Sequence, residues 1–410
     1  MEAAATVETA KHVLHTFGII LLAGLACGLL SAKTRIPDVA ILLIAGMVIG
    51  PAGAGLVNIQ VDSTLNQLLL IFGSSYILFD GGASLRLKIL KEVWITITVI
   101  STFGVVITAA VTGYAAHLLL GLPIAVALLL GATIGSTDPA TLVPVFRQVK
   151  IRERVAQTVM SESAFNDAIG AIMTFTVLGM VMGSGEISIG RAIGDLLWQS
   201  IIGIIAGGVL GYLAAVVIAH EKYDFLAEYA PIVSLMAVAG AYLTADNMQA
   251  SGFMAVFAFG IVLGNKDVFG FTLEPGEAKQ LDDFVQTTAF IMRMFIFILL
   301  GSQVDFALMQ QYWLHGLLVV LVMMLVARPL AVFACAWPDR RARWSYREML
   351  FMCWTRETGV IPGALAGMLL GMKAPGAEVI ASVTFIAILV TILVQATTTR
   401  WLAKKLDLLV

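Results

Sequence analysis

The chain has 410 residues, of which 59% are hydrophobic and 13% are charged, and its formal net charge is −2. A soluble domain carries about 25% charged residues, so this composition excludes a soluble protein and predicts an integral membrane protein. The near-neutral charge and the absence of a basic tract argue against nucleic-acid binding. The three cysteines (Cys27, Cys335 and Cys353) lie in or near apolar stretches, which is typical of packing residues rather than of a metal site.

Apolar stretches long enough to cross a bilayer recur along the whole chain. They predict an all-α polytopic protein with about 13 spans, placed near 13–31, 38–54, 65–83, 93–118, 122–147, 153–183, 192–219, 226–245, 250–264, 283–303, 312–336, 347–372 and 378–400. Lysine and arginine are enriched in cytoplasmic loops. An external N-terminus and a cytoplasmic C-terminus leave only Lys11, Arg191 and Lys373 on the outer side, so we expect that orientation.

Two pairs of glycine-containing segments indicate a weak internal repeat. IAGMVIGP (Ile44–Pro51) resembles FAFGIVLGN (Phe257–Asn265), and LFDGGASL (Leu78–Leu85) roughly resembles LLGSQV (Leu299–Val304). The copies begin an odd number of spans apart, so they have opposite orientations, as in inverted-repeat transporters. The alternative is chance similarity between Gly-rich apolar stretches.

The repeat predicts a single membrane transport domain without a soluble domain. We place the repeats near 1–183 and 226–410, with a linking span near 192–219. The first span is expected to be retained rather than cleaved as a signal peptide.

The fifth span, GATIGSTDPATLVPVF (Gly131–Phe146), contains a proline that predicts a break. Pro139 lacks an N–H and disfavours helix at the residue before it, so the helix should be interrupted near Ser136–Asp138. Free carbonyls at the break, the Asp138 carboxylate and the Thr137 hydroxyl could then face a cation. The alternative is a simple proline kink in which Asp138 caps the second half-helix.

The twelfth span, CWTRETGVIPGALAG (Cys353–Gly367), has an equivalent interruption and carries Arg356 and Glu357. Two Pro- or Gly-broken spans at matching places indicate the binding site of a transporter. Ordinary kinks, with the charges at a span edge, are the alternative.

The sixth span contains SESAFNDAIGA (Ser161–Ala171), in which the spacing puts four polar side chains on one helical face: Glu162, Ser163, Asn166 and Asp167. A charge at the bilayer centre costs at least about 2.5–3.5 kcal/mol, so these carboxylates need partners or a watery cavity. We expect Arg356 to pair with Glu162, which leaves Asp167 to titrate. A wholly structural polar network is the alternative.

The combination of STDP (Ser136–Pro139) with ESAFND (Glu162–Asp167) resembles the monovalent cation:proton antiporters, in the NhaP/NHE-type (sodium/proton exchanger) branch. This resemblance covers essentially the whole chain. It implies inverted repeats, crossed discontinuous helices five and twelve, a homodimer and elevator-type alternating access. Relatives commonly have Gly after the arginine of span twelve, where this chain has Glu357, so the partner of Arg356 stays open.

The resemblance also assigns roles to individual residues. It implies that Asp167 binds cation and proton in turn, that Asp80 lies near the site, and that Glu162 and Arg356 form a structural ion pair. The other cation-site residues are Thr137, Asp138, Ser163 and Asn166, with Na⁺ (or K⁺) held at Asp138, Ser163 and Asp167. Asn166 replaces the second aspartate of electrogenic relatives, which predicts one proton exchanged for one cation.

The expected function is therefore electroneutral exchange of Na⁺, or of Li⁺, for one proton across a bacterial inner membrane. A K⁺/H⁺ antiporter of the same fold and a cation channel are the alternatives. We expect no cofactor and no enzymatic activity, since a phosphate-binding loop and a nucleophile–base pair are missing from the sequence. Glu357 and Arg293 are candidate modulators, and Arg328 is expected to snorkel toward the cytoplasmic face.

Overall fold

The computed structural model describes residues 2–34, 36–137, 151–183, 189–219 and 226–409. These ranges are almost entirely helical, and within them the one isolated β-bridge joins Ile151 to Leu409. Helices suit a bilayer because each of their backbone N–H and C=O groups is bonded within the segment. The all-α prediction is confirmed.

The helices of the first half are α1 (Glu2–Thr34), α2 (Asp38–Ile49), α3 (Thr64–Ala83), α4 (Leu87–Val99), α5 (Val105–Leu120), α6 (Ile124–Thr133), α7 (Glu153–Met182) and α8 (Ile189–Ala219). A π-helical turn at Ile100–Gly104 joins α4 to α5. The side chain of Ser63 caps α3 by accepting a hydrogen bond from the backbone N–H of Asn66.

The helices of the second half are α9 (Ala230–Asn247), α10 (Gly252–Gly264), α11 (Pro275–Ser302), α12 (Phe306–Val322), α13 (Arg328–Ala336), α14 (Tyr346–Trp354), α15 (Val360–Gly371), α16 (Ala377–Val390) and α17 (Thr397–Lys405). π-helical turns at Met323–Ala327 and Thr391–Ala396 join α12 to α13 and α16 to α17. Ser345 and Glu348 form a capping box that fixes the start of α14.

Eight helical stretches of the described residues are long and apolar enough to cross a membrane. Four shorter apolar helices accompany them, namely α2, α6, α10 and α15. The predicted span near 347–372 is interrupted, because α14 ends at Trp354 and α15 begins at Val360. In the predicted span near 122–147, α6 ends at Thr133 and the description stops after Thr137.

The helices pack as two bundles. The first bundle consists of α1–α3 and α8–α11, and the second consists of α4–α7 and α12–α17. Between the bundles, α15 lies against α3 and α11, while α7 lies against α3, α8 and α10. The interrupted spans and the polar face of α7 therefore belong to one bundle, and part of their surface faces the other.

Glycines at repeat-equivalent positions make mirrored contacts. A Cβ on Gly46 would lie 2.3 Å from the carbonyl oxygen of Ile298, and one on Gly260 would lie 2.4 Å from that of Phe79. In the reciprocal pair, a Cβ on Gly301 would lie 2.2 Å from the carbonyl oxygen of Leu43, and one on Gly82 would lie 2.5 Å from that of Phe257. Small residues let membrane helices approach closely. These matched contacts support the inverted repeat locally, while the full division into two repeats stays a prediction.

Two adjacent glycines of α8 allow a matched test of this close packing. A Cβ on Gly207 would lie 1.9 Å from the carbonyl oxygen of Ala255 on α10, whereas a Cβ on Gly208 would meet nothing within 4 Å. We expect Gly207→Ala to lower the free energy of unfolding by about 1–3 kcal/mol through overpacking. Gly208→Ala should leave it unchanged or raise it by up to about 1 kcal/mol, since alanine is the better helix former.

Thermal unfolding of both variants in the same detergent checks this prediction. Equal melting temperatures for the two variants would contradict the close approach of α8 and α10.

Candidate functional site

The interruption of the fifth span begins where α6 ends. The helix stops at Thr133, and the chain then turns through Ile134–Thr137 with both Ser136 and Thr137 buried. The predicted break is confirmed in this part. Asp138, the predicted carboxylate of the break, lies outside the described residues.

Three of the predicted cation-site residues form one hydrogen-bonded cluster. The backbone N–H of Thr137 donates to Oδ1 of Asn166 (3.0 Å), and Nδ2 of Asn166 donates to Oγ1 of Thr137 (2.9 Å). The Thr137 hydroxyl in turn donates to Oγ of Ser163 (2.9 Å). Asn166 thus holds the broken segment of span five directly against α7.

Asp167 follows Asn166 on α7 and is only 5% exposed. One turn further along the helix, Gly170 faces the break so closely that a Cβ would lie 3.0 Å from Cβ of Ser136. The spacing of the α7 residues therefore brings a hydroxyl, an amide and a buried carboxylate (Ser163, Asn166 and Asp167) to the interruption of span five.

The ion pair of Glu162 differs from the prediction. The Glu162 carboxylate is bound by Arg328: Nη1 of Arg328 pairs with Oε1, and Nη2 donates to Oε2 at 2.9 Å. Nε and Nη2 of Arg328 also donate to the carbonyl oxygen of Met352, at 3.0 and 2.8 Å. The expected Glu162–Arg356 pair is wrong in this structure, and so is the expectation that Arg328 snorkels outward, because Arg328 is 3% exposed.

Arg356 instead binds the end of the broken helix. Its Nη2 donates to the carbonyl oxygens of Ile134 (2.8 Å) and Gly135 (2.9 Å). These carbonyls lie at the C-terminal end of α6, where the helix dipole favours a positive charge. The carbonyls that the sequence offered to a transported cation are therefore held by a guanidinium, and Arg356 connects the two interrupted spans.

The segment after Arg356 is also buried. Glu357 and Thr358 are both 0% exposed, and the backbone N–H of Thr358 donates to Oγ1 of Thr391 (2.9 Å). Since Thr391 begins the π-helical turn between α16 and α17, the interruption of span twelve is anchored on the neighbouring span.

Asp80 and Arg293 lie on the other side of the interface between the bundles. Asp80 belongs to α3, and the next residue, Gly81, faces the second bundle, since a Cβ there would lie 3.8 Å from Cβ of Ala164 on α7. Arg293 of α11 pairs loosely with Asp38, with 3.7 Å between Nη1 and Oδ2. Asp80 is thus next to the segment that carries Ser163 and Asp167.

Residues 17–405 match the family described as sodium/hydrogen exchanger, transmembrane. The chain belongs to this family. It is 32% identical to Na(+)/H(+) antiporter 1 of Methanocaldococcus jannaschii, over 85% of this chain and 81% of that protein. The solved structure of the sodium proton antiporter MjNhaP1 from the same organism matches with a TM-score of 0.84 and 29% identity, covering 96% of this chain and 99% of that one.

Another relative is named for exchange of K⁺ rather than Na⁺. The K(+)/H(+) antiporter NhaP of Alkalimonas amylolytica is 27% identical, over 96% of this exchanger and 67% of that protein. The resemblance stated from the sequence and the antiporter fold are both confirmed by these comparisons.

One site residue of this exchanger was given the wrong role from the sequence. Arg328 stands in an apolar span directly before Pro329, and the sequence led us to expect that it snorkels toward the cytoplasmic face. The π-helical turn at Met323–Ala327 precedes it, and such turns are frequent at functional sites. The signal that could have found the pair was the residue type itself, because an arginine within an apolar span requires a buried partner.

A double-mutant cycle distinguishes the two candidate partners of Glu162. We expect Glu162→Gln and Arg328→Met each to lower the free energy of unfolding by about 3–5 kcal/mol, because each leaves a buried charge without its partner. The double variant Glu162→Gln/Arg328→Met should lose less unfolding free energy than the two single variants lose together. For Glu162→Gln combined with Arg356→Met, the two losses should be closer to additive.

Thermal unfolding in detergent measures these couplings. Arg347→Met is the matched control, because its pair with Asp407 is exposed and such pairs contribute at most about 1 kcal/mol. A coupling of Glu162 to Arg356 as large as that to Arg328 would contradict the assignment.

Proposed function

We propose that this protein exchanges Na⁺ for one proton by alternating access, at a site formed by Asp167, Ser163 and Thr137 together with Asp138. The observation that carries the proposal is the cluster in which Asn166 binds the interrupted span beside the buried Asp167. Relatives named Na(+)/H(+) antiporters support the choice of Na⁺.

The exchange follows from competition for one carboxylate. Burial disfavours the charged form of a carboxylate, and a nearby cation favours it, so proton and cation exclude one another at Asp167. The Ser163 hydroxyl and the Asp138 carboxylate supply further oxygen ligands for the cation. A cation released on one side leaves Asp167 to take a proton for the return step.

Asn166 supports an electroneutral cycle. Both atoms of its amide are bonded to Thr137, and an amide has no proton to exchange in the accessible pH range. One cation then replaces one proton at Asp167, and no net charge crosses the membrane in a cycle.

The second candidate function is exchange of K⁺ for protons. It is favoured by the relative named K(+)/H(+) antiporter NhaP, which this chain matches over 96% of its length. Na⁺ and K⁺ use the same oxygen ligands and differ in the size of cavity that they require. The two functions therefore share the residues proposed above.

The wider setting is also a proposal. We place the protein in a bacterial inner membrane as a homodimer in contact with lipid, with its N-terminus outside and its C-terminus in the cytoplasm. We propose transport rather than enzymatic catalysis, and cations and protons as its partners. The many exposed apolar side chains of α1 and α8, such as Leu22, Leu25, Ile201 and Ile205, support contact with lipid or with a second copy.

Removal of either site carboxylate should abolish exchange. In proteoliposomes, Asp167→Asn and Asp138→Asn should reduce Na⁺-driven proton flux to the level of empty vesicles. The first variant removes the carboxylate that proton and cation share, and the second removes an oxygen ligand of the cation. Asp246→Asn is the control, since Asp246 is an exposed carboxylate at the end of α9. Dequenching of a pH-sensitive dye measures the flux, and size-exclusion chromatography checks the fold. Exchange at the wild-type rate by either site variant would overturn the assignment.

Membrane potential should leave the Na⁺ gradient at equilibrium unchanged. Moving one net charge against 100 mV is worth about 2.3 kcal/mol, which would shift the equilibrium gradient about 50-fold. Liposomes held at zero potential and at about −100 mV, with the same pH gradient, separate the two cases. A shift of that size would exclude one-for-one exchange while leaving cation/proton antiport in place.

A further inference from the structure

Arg293, Arg328 and Arg356 lie inside spans, and two of these three are fixed by short hydrogen bonds. Arg328 binds Glu162 and the carbonyl oxygen of Met352, and it is 3% exposed. Arg356 binds the carbonyl oxygens of Ile134 and Gly135, and it is 1% exposed. Both guanidinium groups connect elements within the second bundle and have little freedom to move.

Arg293 is held differently. Its Nη1 lies 3.7 Å from Oδ2 of Asp38, which is beyond hydrogen-bond distance, and the two side chains are 16% and 23% exposed. Its Nε is buried without a hydrogen-bond partner among the described residues. Asp38 is itself in the first turn of α2, where the helix dipole also favours its negative charge. The guanidinium is therefore loosely restrained and partly exposed.

The packing of α3 against α11 directs Arg293 toward Asp80. The helices run antiparallel, because Asn66 at the start of α3 bonds to Gln303 just after α11, while Gly73 lies over Met292 and Ile296. Helical side chains point back toward the N-terminus, so the long side chain of Arg293 extends along α11 toward the level of Asp80. Asp80 lies seven residues after Gly73 on the same face of α3, so the register of the two helices places it toward the end of that side chain.

Asp80 in turn adjoins the transport site. The neighbouring Gly81 faces Ala164, which follows Ser163 on α7. Three charged side chains of the first bundle therefore follow one another in space: the negative Asp80, the positive Arg293 and the negative Asp38. Only the first of these three adjoins the segment of the second bundle that carries Asp167.

We propose that Arg293 is a tethered counter-ion that competes with the transported cation for Asp80, and that Asp38 limits this competition by drawing the guanidinium away. The inference rests on the proposed function of the Asp167 site. Arg293 acts through Asp80 and is thus a positioning residue that sets the apparent cation affinity. When a cation approaches, the guanidinium shifts toward Asp38, and it returns to Asp80 when the cation leaves.

The test compares KM for Na⁺ in proteoliposomes carrying three variants. Arg293→Gln should lower KM about three- to tenfold, because the competing charge is gone. Asp38→Asn should raise KM by a similar factor, because the released guanidinium is drawn to Asp80. Lys279→Gln, an equal charge change at an exposed position of the same helix, should leave KM within about twofold of the wild-type value.

The double variant Arg293→Gln/Asp38→Asn gives the sharpest outcome. Since Asp38 acts through Arg293, the double variant should behave like Arg293→Gln alone, with a lowered KM. A structural role for the pair would instead reduce the maximal rate of both single variants and leave KM unchanged. That result, or KM shifts of the same sign in both single variants, would overturn the proposal. If Arg293→Gln fails to fold, the KM of Asp38→Asn alone tests the proposal. An unchanged KM in that variant would then overturn the proposal.

Failure of this inference is distinguishable from failure of the proposed function. Wild-type protein that shows no cation-driven proton flux, or that keeps its flux in Asp167→Asn, would refute the function. Wild-type exchange that depends on Asp167, together with unaltered KM in Arg293→Gln, would refute only the role of Arg293.

Discussion

The interruption of span five depends on groups supplied by two other spans. A broken helix inside a bilayer exposes carbonyl oxygens and N–H groups that no water satisfies, and each costs several kcal/mol if left alone. Arg356 of span twelve takes the carbonyls of Ile134 and Gly135, and Asn166 of α7 takes the backbone N–H of Thr137. The break is therefore stabilised by contacts among these three spans. The buried Asp167 follows Asn166 at the place where they meet.

The same constraint explains why so many charges in this region are structural. The guanidinium of Arg356 brings a positive charge to the end of α6. Glu162 and Arg328 form a separate ion pair nearby, in which the two charges cancel each other. Glu162 is thereby held by an arginine on both of its carboxylate oxygens. A carboxylate held by a permanent ion pair could not alternate between a proton and a metal cation, because the arginine would keep it ionised throughout the cycle.

The segments with mirrored glycine contacts are alike in packing and different in charge. The mirrored glycine contacts align Gly82 with Gly301, and this alignment places Asp80 opposite Leu299. The close approach of backbones is thus retained in both copies, while the carboxylate occurs in the first copy alone. The mirrored contacts serve the packing of the first bundle, and the departure from symmetry places one carboxylate, that of Asp80, beside Gly81, which faces α7.

Much of this arrangement could be predicted from the sequence because it depends on local rules. Pro139 marks the break of span five, Gly359 and Pro362 mark that of span twelve, and helical spacing groups Ser163, Asn166 and Asp167. The partner of Glu162 could not be predicted in this way. Pairing across spans depends on the rotation of each helix, and the π-helical turn at Met323–Ala327 changes the rotation of everything after it.

Asn166 shows how one side chain can serve both the fold and the proposed stoichiometry. Its cluster needs an acceptor for the Thr137 N–H and a donor to the Thr137 hydroxyl, and a neutral amide provides both. An ionised aspartate at this position could accept but not donate, so it would disturb the contact that fixes the break. It would also add a second titrating group beside Asp167. The residue that holds the interrupted helix in place is therefore the same one on which the proposed one-for-one exchange rests.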